Sequence, residues 1–351
     1  MSNATLDAVI SRSQAILQGL SGPERRRKFR SYAVTNFRGG VGKSTLAFNL
    51  TYELAQWHSC LLLDTCSQRN FSQTIFGDDV LRMKDTIYDA LVREMAGGGT
   101  VNYKDLARLI SPFCSAFRMA KPCYMVPGSP ELFAIPSLMY SQLAQFAQLT
   151  GQHKKETSAR IVLAIKRIID GVLRYTRSEK VIIDTSPFFG GATHLSWAAV
   201  EALVVPVRVD QHSIEALNLT LDMLQRQEMD FLRANEQAGL THVPKVHAIA
   251  MTHCGWSRQK EFTPDSATKL FIEKAIKLSQ QYASLFSEPK VEQCFYILDD
   301  FHSSGRISGK QRIPLSDLES GQKFVVEGQR LEVNPSVERY QKEIRHLAAA
   351  L

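Results

Sequence analysis

Residues 36–45 read Asn-Phe-Arg-Gly-Gly-Val-Gly-Lys-Ser-Thr, after the apolar run Tyr32-Ala33-Val34 and before Leu46-Ala47-Phe48-Asn49-Leu50. A strand, a glycine turn and a helix in that order leave few folds open. Without Cβ atoms the turn can curl until successive N–H groups point into one concavity. The helix behind it adds the positive end of its dipole. Such a cradle takes a polyphosphate. Gly39, Gly40, Val41 and Gly42 supply N–H groups, the Lys43 ammonium reaches the β- and γ-phosphates, the Ser44 hydroxyl is placed to coordinate Mg²⁺, and Thr45 completes the first helical turn. A glycine-rich turn alone says little; one that ends Gly-Lys-Ser-Thr between a strand and a helix is specific.

The rest of the chain fits one sheet. Ser59–Asp64 and Lys180–Asp184 are short apolar runs that end in a carboxylate. Cys123–Gly128, Ala202–Val207 and Val246–Met251 are further runs of this kind. Unbroken apolar runs suit strands covered on both faces of a parallel sheet. Between them, 155–176 places Ile161, Ile165, Ile168, Ile169 and Val172 at the spacing of one long amphipathic helix. Segments 213–227, 268–285 and 335–351 read as helices, and 79–150 as mainly helical with turns at Gly97-Gly98-Gly99 and Pro127-Gly128. Alternating strands and helices predict an α/β fold: a doubly wound, mostly parallel sheet flanked by helices, of the P-loop kind. Ligands of such sheets sit at the carboxyl ends of the strands, where Asp64 and Asp184 both fall, so both join Ser44 as candidates to hold the metal ion. Residues 1–30 read as an N-terminal helical arm with a basic linker, stopped at Ser21-Gly22-Pro23, and 31–351 as one domain.

Composition narrows the partners. No apolar run approaches the ~20 residues that cross a bilayer, and Ala8–Leu20 is broken by Ser11, Arg12, Ser13 and Gln14, so no signal core is expected. The six cysteines show no metal-like spacing and read as reduced thiols of a cytoplasmic protein. A net charge of +7 permits nucleic acid or anionic lipid as a partner without establishing either. The densest basic stretch comprises Arg25, Arg26, Arg27, Lys28 and Arg30. Two readings of it stand: contacts to DNA phosphates, which are sequence-independent and salt-sensitive, or a solvated linker.

The residues around the glycine turn resemble the deviant phosphate loop of the ParA/MinD group of dimeric ATPases, whose usual run is Lys-Gly-Gly-x-Gly-Lys-Thr-Thr. Arg38 stands at the signature lysine. The resemblance implies that it crosses a dimer interface to the partner's nucleotide; a contact to its own nucleotide or to solvent is the alternative. Asp64-Thr65-Cys66-Ser67-Gln68-Arg69-Asn70 resembles the family's Asp-x-Asp-Pro-Gln-Gly-Asn. Its first Asp, Gln and Asn line up, and Cys66 replaces the Asp that orients the attacking water. A thiol is a poor acceptor, so hydrolysis is expected to be slow or to need a partner, with Asp64 or Gln68 left to position water. Asp184-Thr185-Ser186-Pro187 resembles the family's Asp-Thr-Pro-Pro, which implies a Mg²⁺ link through Asp184. Thr252 and the Ile313-Pro314 turn correspond to the family's base-contacting positions. The likeness runs over roughly residues 30–351 and implies ATP with Mg²⁺; no Asn/Thr-Lys-x-Asp guanine motif is present.

Three functions follow from the resemblance. The first is a ParA-like switch that forms a homodimer with ATP, binds DNA nonspecifically, answers to an activating partner protein and positions DNA or other cargo; it would be nucleoid-associated. The second is a nucleotide-gated scaffold or sensor in a regulatory or defence complex, which the Cys66 and Ser186 departures favour. The third is a MinD-type membrane switch. Its C-terminal helix would have to insert in lipid, yet the apolar side of 335–351 carries one aromatic and ends in Ala348-Ala349-Ala350, so packing on the domain is expected.

Overall fold

The structure, a computed structural model, describes residues 2–22, 28–97, 100–257 and 259–351. Arg25, Arg26 and Arg27 of the basic stretch lie outside the described residues, as does most of the Gly97-Gly98-Gly99 turn. Helix α1 (Ser2–Leu17) leads to β1 (Ser31–Val34), α2 (Lys43–Ala55), β2 (Cys60–Asp64) and α3 (Asn70–Phe76). Next come α4 (Ile87–Ala96), the single turn α5 (Tyr103–Leu106), β3 (Arg108–Leu109) and β4 (Cys123–Val126). Helices α6 (Ile135–Phe146), α7 (Gly151–Val162) and α8 (Ala164–Thr176) precede β5 (Lys180–Asp184). Then follow α9 (Ala192–Ala199), β6 (Ala202–Arg208), α10 (Gln211–Gln225), α11 (Asp230–Gln237) and β7 (Lys245–Cys254). The chain closes with α12 (Ser266–Gln280), β8 (Phe295–Asp299), α13 (His302–Gln311), the hairpin β9 (Lys323–Val326) and β10 (Gln329–Glu332), and α14 (Val337–Ala350).

The main sheet runs β3-β4-β2-β5-β1-β6-β7-β8. Strand β3 is antiparallel to β4 and the other neighbours are parallel, as the alternation of elements predicts. Every residue of β1, β2 and β5 is buried. Because successive side chains leave a strand on opposite faces, these runs feed two cores. Ala33, Leu61, Leu63, Val181 and Ile183 join the core under α4 and α6 to α12. Tyr32, Val34, Cys60, Leu62 and Ile182 join the core under α2, α3 and α14. Register then fixes the site: Asp184 is the Cα partner of Val34 on one side and of Asp64 on the other. The phosphate loop and both carboxylates therefore meet at one edge of the sheet.

Some local features depart from the sequence reading or were absent from it, and the packing of the C-terminal helix agrees with it. The 155–176 helix is two helices, broken at Leu163, whose φ/ψ of −93/13° leaves the α region. Strand β8 and the β9–β10 hairpin were unread; β8 is a five-residue apolar run, too short for periodicity to separate strand from helix. The N-terminal helix is docked. Leu6, Val9, Ile10, Ile16 and Leu17 are buried, and the Arg12 guanidinium donates to the carbonyls of Glu292 and Gln293, each at 3.3 Å, and to that of Phe295. Helix α14 buries Val337, Tyr340, Ile344 and Leu347 against the domain, and Tyr32 donates its hydroxyl to the Leu351 carbonyl at 2.6 Å. No helix among the described residues is long and apolar enough to cross a membrane.

Candidate nucleotide site

The glycine turn is shaped by its backbone. Gly40 and Gly42 sit at φ 71° and 87°, the left-handed region that penalises any Cβ. A Cβ at Gly39, Gly40 or Gly42 would have nothing within 4 Å, so the concave side is open. Gly42 caps α2, and its carbonyl accepts the Leu46 N–H at 2.8 Å. Asn36 braces the turn from below: its amide donates to the Pro206 carbonyl at 2.7 Å and its oxygen accepts the Arg38 N–H at 2.8 Å. Lys43 is only 8% exposed. Its ammonium donates to the carbonyls of Asn36 at 3.1 Å and Arg38 at 2.8 Å, which leaves one of three N–H groups for a ligand. Burial lowers its pKa, and the nearby Asp184 charge works against that.

Ser44 donates its hydroxyl to Asp184 Oδ2 at 2.6 Å. Asp184 is fully buried, and its Oδ1 has no hydrogen-bond partner among the described residues. Burial first, then the Asp64 charge, pushes its pKa up to about 8. An orphaned carboxylate oxygen beside a serine hydroxyl, under an open N–H cradle, fits a hydrated divalent cation. Asp64 is placed differently. Its Oδ1 accepts the Cys66 N–H at 3.0 Å, and its Oδ2 accepts the Ser72 N–H and hydroxyl, each at 2.8 Å. The Ser72 oxygen in turn accepts the Gly128 N–H at 2.8 Å. A Cβ on Gly128 would lie 2.9 Å from Asp64 Cγ, so only glycine fits there. Burial raises the Asp64 pKa to about 6 against these donors. Asp64 thus ties the turn after β2 to α3 and β4, and its carboxylate is not on the cleft wall.

One cleft of about 880 Å³ runs over the loop. Gly39 to Leu46, Cys66, Gln68, Thr185, Pro187 and Thr252 line it; Asp184, like Asp64, does not, and meets the cleft through Ser44. Thr252 donates its hydroxyl to the Val41 carbonyl at 3.4 Å. Burial, with the Asp64 charge, pushes the Cys66 thiol up, so it stays protonated and offers no carboxylate-like acceptor. Arg38 is not on the wall; its guanidinium lies 3.6 Å from Asp210, which also caps α10 through the Ser213 N–H at 2.8 Å. Pro314 does not line the cleft either. It follows α13, where the next N–H, of Leu315, donates to Asn49 Oδ1 at 2.7 Å. The end of β8 supplies that wall instead, through Asp299 and Asp300. The signal was available: Phe295–Leu298 is an apolar run ending in carboxylates, the pattern that marked Asp64 and Asp184.

Lys28 and Arg30 lie at the other end of the sheet, before β1. Lys28 pairs with Glu288 at 3.1 Å. Arg30 donates from its side chain to the Ser178 carbonyl at 2.8 Å and from its backbone to Glu201 at 2.7 Å. The structure does not bring them to the cleft.

The fold is the P-loop fold of the ParA/MinD family. A family model described as an AAA domain matches residues 29–234, and the chain belongs to that family. It is 26% identical over 201 residues to the chromosome partitioning protein ParA of Myxococcus xanthus, covering 56% of this chain and 59% of that protein. It is 24% identical over 194 residues to an uncharacterised protein of Methanocaldococcus jannaschii, covering 55% and 64%. The chain thus spans under two thirds of the length of these relatives. Among solved structures, apo McdA of Cyanothece superposes with a TM-score of 0.59 at 15% identity, over 90% of this chain and 97% of that one. The pNOB8 ParA bound to nonspecific DNA superposes at 0.52 and 16%, over 92% and 96%. At such identities the likeness is one of fold.

Proposed function

We propose that the chain is an ATP-binding switch of the ParA type that dimerises with ATP and hydrolyses it slowly or on stimulation by a partner protein. The observation that carries this reading is the Ser44–Asp184 pair at 2.6 Å, with Asp184 Oδ1 left over, beneath the open turn of Gly39 to Gly42. The N–H groups of that turn hold the β-phosphate, and Lys43 gives its remaining N–H to the β- and γ-oxygens. Ser44 and Asp184 would hold the cation. Bound Mg²⁺ supplies charge that offsets the phosphates. Thr252 and the β8 end face the nucleoside.

Cys66 stands beside Ser186 where relatives place the water-orienting carboxylate, and general-base help is worth about 10²–10⁴ in rate. Slow hydrolysis follows from that exchange, with Gln68, on the cleft wall, left to position water. Asp64 acts on catalysis by fixing the turn that carries Cys66 and Gln68. Arg38 reaches a second subunit's nucleotide once it leaves Asp210. DNA is bound nonspecifically, with the basic stretch at 25–30 as one candidate surface, and the cargo is DNA or another large body on the nucleoid. The printed description of pNOB8 ParA, bound to nonspecific DNA, supports that reading by analogy of fold.

A second reading, a nucleotide-gated scaffold or sensor, is favoured by Cys66 and Ser186, which stand where relatives carry Asp and Pro. The membrane reading is disfavoured because α14 spends its apolar face on the domain. Light scattering on a gel-filtration column tests the proposal. A shift from monomer to dimer with ATP and Mg²⁺, and none with ADP, supports it; the same mass in both contradicts it.

A further inference from the structure

The cleft continues past the phosphate loop. Beyond Thr45 and Leu46 it runs between α3 and α13, and there its wall changes character. Helix α13 turns Gly305 and Gly309 toward it, one turn apart, and a Cβ at Gly309 would meet nothing within 4 Å. A glycine floor lets a ligand approach the helix backbone closely. Two exposed cations border that floor, Arg306 and Lys310; the Arg312 guanidinium also lines the cavity but donates to the Phe113 carbonyl at 3.3 Å. They lie in the same cavity as the phosphate loop, yet none of them takes part in the loop's hydrogen bonds.

The counter-charge is makeshift. Glu327 reaches in from the tip of the β9–β10 hairpin, 2.7 Å from Lys310 and 3.9 Å from Arg306. Asp78 faces the lobe from the opposite wall. Glu327 at φ 50° and Gly328 at φ 77° form the tight turn between the strands, so the hairpin sets where this carboxylate stands. The side chains of Arg306, Lys310 and Glu327 are 53%, 56% and 57% exposed. Ion pairs this exposed hold weakly, and a better anion displaces Glu327. Arginine and lysine side by side suit phosphate, the first as a planar fork and the second as a point charge.

We propose that this lobe binds a second phosphate group, carried by the same nucleotide that fills the phosphate loop. The inference rests on the nucleotide reading above and narrows its ligand to an adenine nucleotide phosphorylated at both ends. At about 880 Å³ the cleft is near the upper end of small-molecule pockets, which run to ~1,000 Å³. Two sources carry the required chemistry: a phosphate on the ribose 3′ oxygen, or one on the 2′ oxygen, of a mononucleotide.

Calorimetry on the full chain with Mg²⁺ separates them. The ligands are ATP, adenosine 3′-phosphate 5′-triphosphate and adenosine 2′-phosphate 5′-triphosphate. The proteins are wild type, an Arg306→Ala/Lys310→Ala double variant and Glu327→Gln. One two-ended ligand is expected to bind wild type at least ~10-fold more tightly than ATP, and which one does identifies the source. The double variant loses that gap while its ATP affinity stays within about twofold, and Glu327→Gln widens the gap. Equal affinities in wild type overturn the proposal, as does a gap that survives in the double variant. So does a double variant that loses ATP as strongly as the two-ended ligand, since the cations then serve ATP itself. Absence of any ATP binding to wild type overturns the nucleotide reading instead.

Discussion

Asp64 accepts both the N–H and the hydroxyl of Ser72, each at 2.8 Å, deep in the protein. The carboxylate that sequence reading placed among the metal and catalytic groups is therefore a brace, joining the turn after β2 to the start of α3. Ser72→Ala removes one donor to Asp64 and leaves the Gly128 N–H without its acceptor. A buried polar group left unpaired costs about 1–3 kcal/mol, so the melting temperature is expected to fall by several degrees. Nucleotide affinity at a temperature where both proteins are folded stays within a few-fold. An unchanged melting temperature contradicts the bracing role.

Cys66→Asp restores the carboxylate next to Ser186. We expect ATP hydrolysis by the purified protein to rise by about 10²-fold or more, within the range of general-base help, with little change in affinity. Phosphate release under single-turnover conditions is the readout. Equal rates in variant and wild type contradict the assignment of slow hydrolysis to this position.

His194 is fully buried among the rings of Tyr140, Phe189 and Phe231, with centroids 6.3, 5.2 and 5.2 Å away. Burial lowers its pKa to about 3. The folded state disfavours the proton, so this contribution to stability is complete above pH 6.5 and falls away as pH drops toward 3. At pH 5 the loss is about 2 kcal/mol. Asp64 and Asp184, raised to about 6 and about 8, act in the opposite sense and gain stability as pH falls through those values. Both terms persist in His194→Phe, so the difference between variant and wild type isolates the histidine. In urea unfolding between pH 7 and 4.5 the variant is expected to gain on wild type as pH falls, the difference between the two changing by about 2 kcal/mol by pH 5. Parallel curves contradict this.

Much of the fold was legible because its strands are unbroken apolar runs of a two-faced sheet, and the Gly39–Ser44 turn is nearly self-describing. The placement of Asp184 beside the loop was legible too: a strand that ends in a carboxylate next to β1 brings that carboxylate to the loop. What the sequence hid depends on distant packing. Asp64 and Asp184 look alike in the chain, and only Ser72 and Gly128 distinguish brace from free ligand. Arg38 gives no sign of Asp210, which is 172 positions away and meets it only because β6 lies beside β1. Pro314 lies off the cleft lining, and likeness of a dipeptide carries no information about α13, which stands between the end of β8 and that turn. The helix break at Leu163 leaves no signal in an apolar pattern that continues across it.

Gly42→Ala tests the cradle by backbone geometry alone. At φ 87° an alanine is strained, and a left-handed non-glycine residue costs of order 1–2 kcal/mol. The turn relaxes away from its curled form, and ATP affinity is expected to fall by 10-fold or more while circular dichroism stays unchanged. Affinity equal to wild type contradicts the N–H cradle.

The measurement closest to the core of the account is a calorimetric titration of the full chain with ATP in Mg²⁺, repeated with Asp184→Asn and with EDTA. One ATP per chain for wild type, with affinity reduced at least 10-fold by the substitution and by chelation, is the predicted result. Binding that ignores both Asp184 and Mg²⁺, or no heat at all, contradicts it.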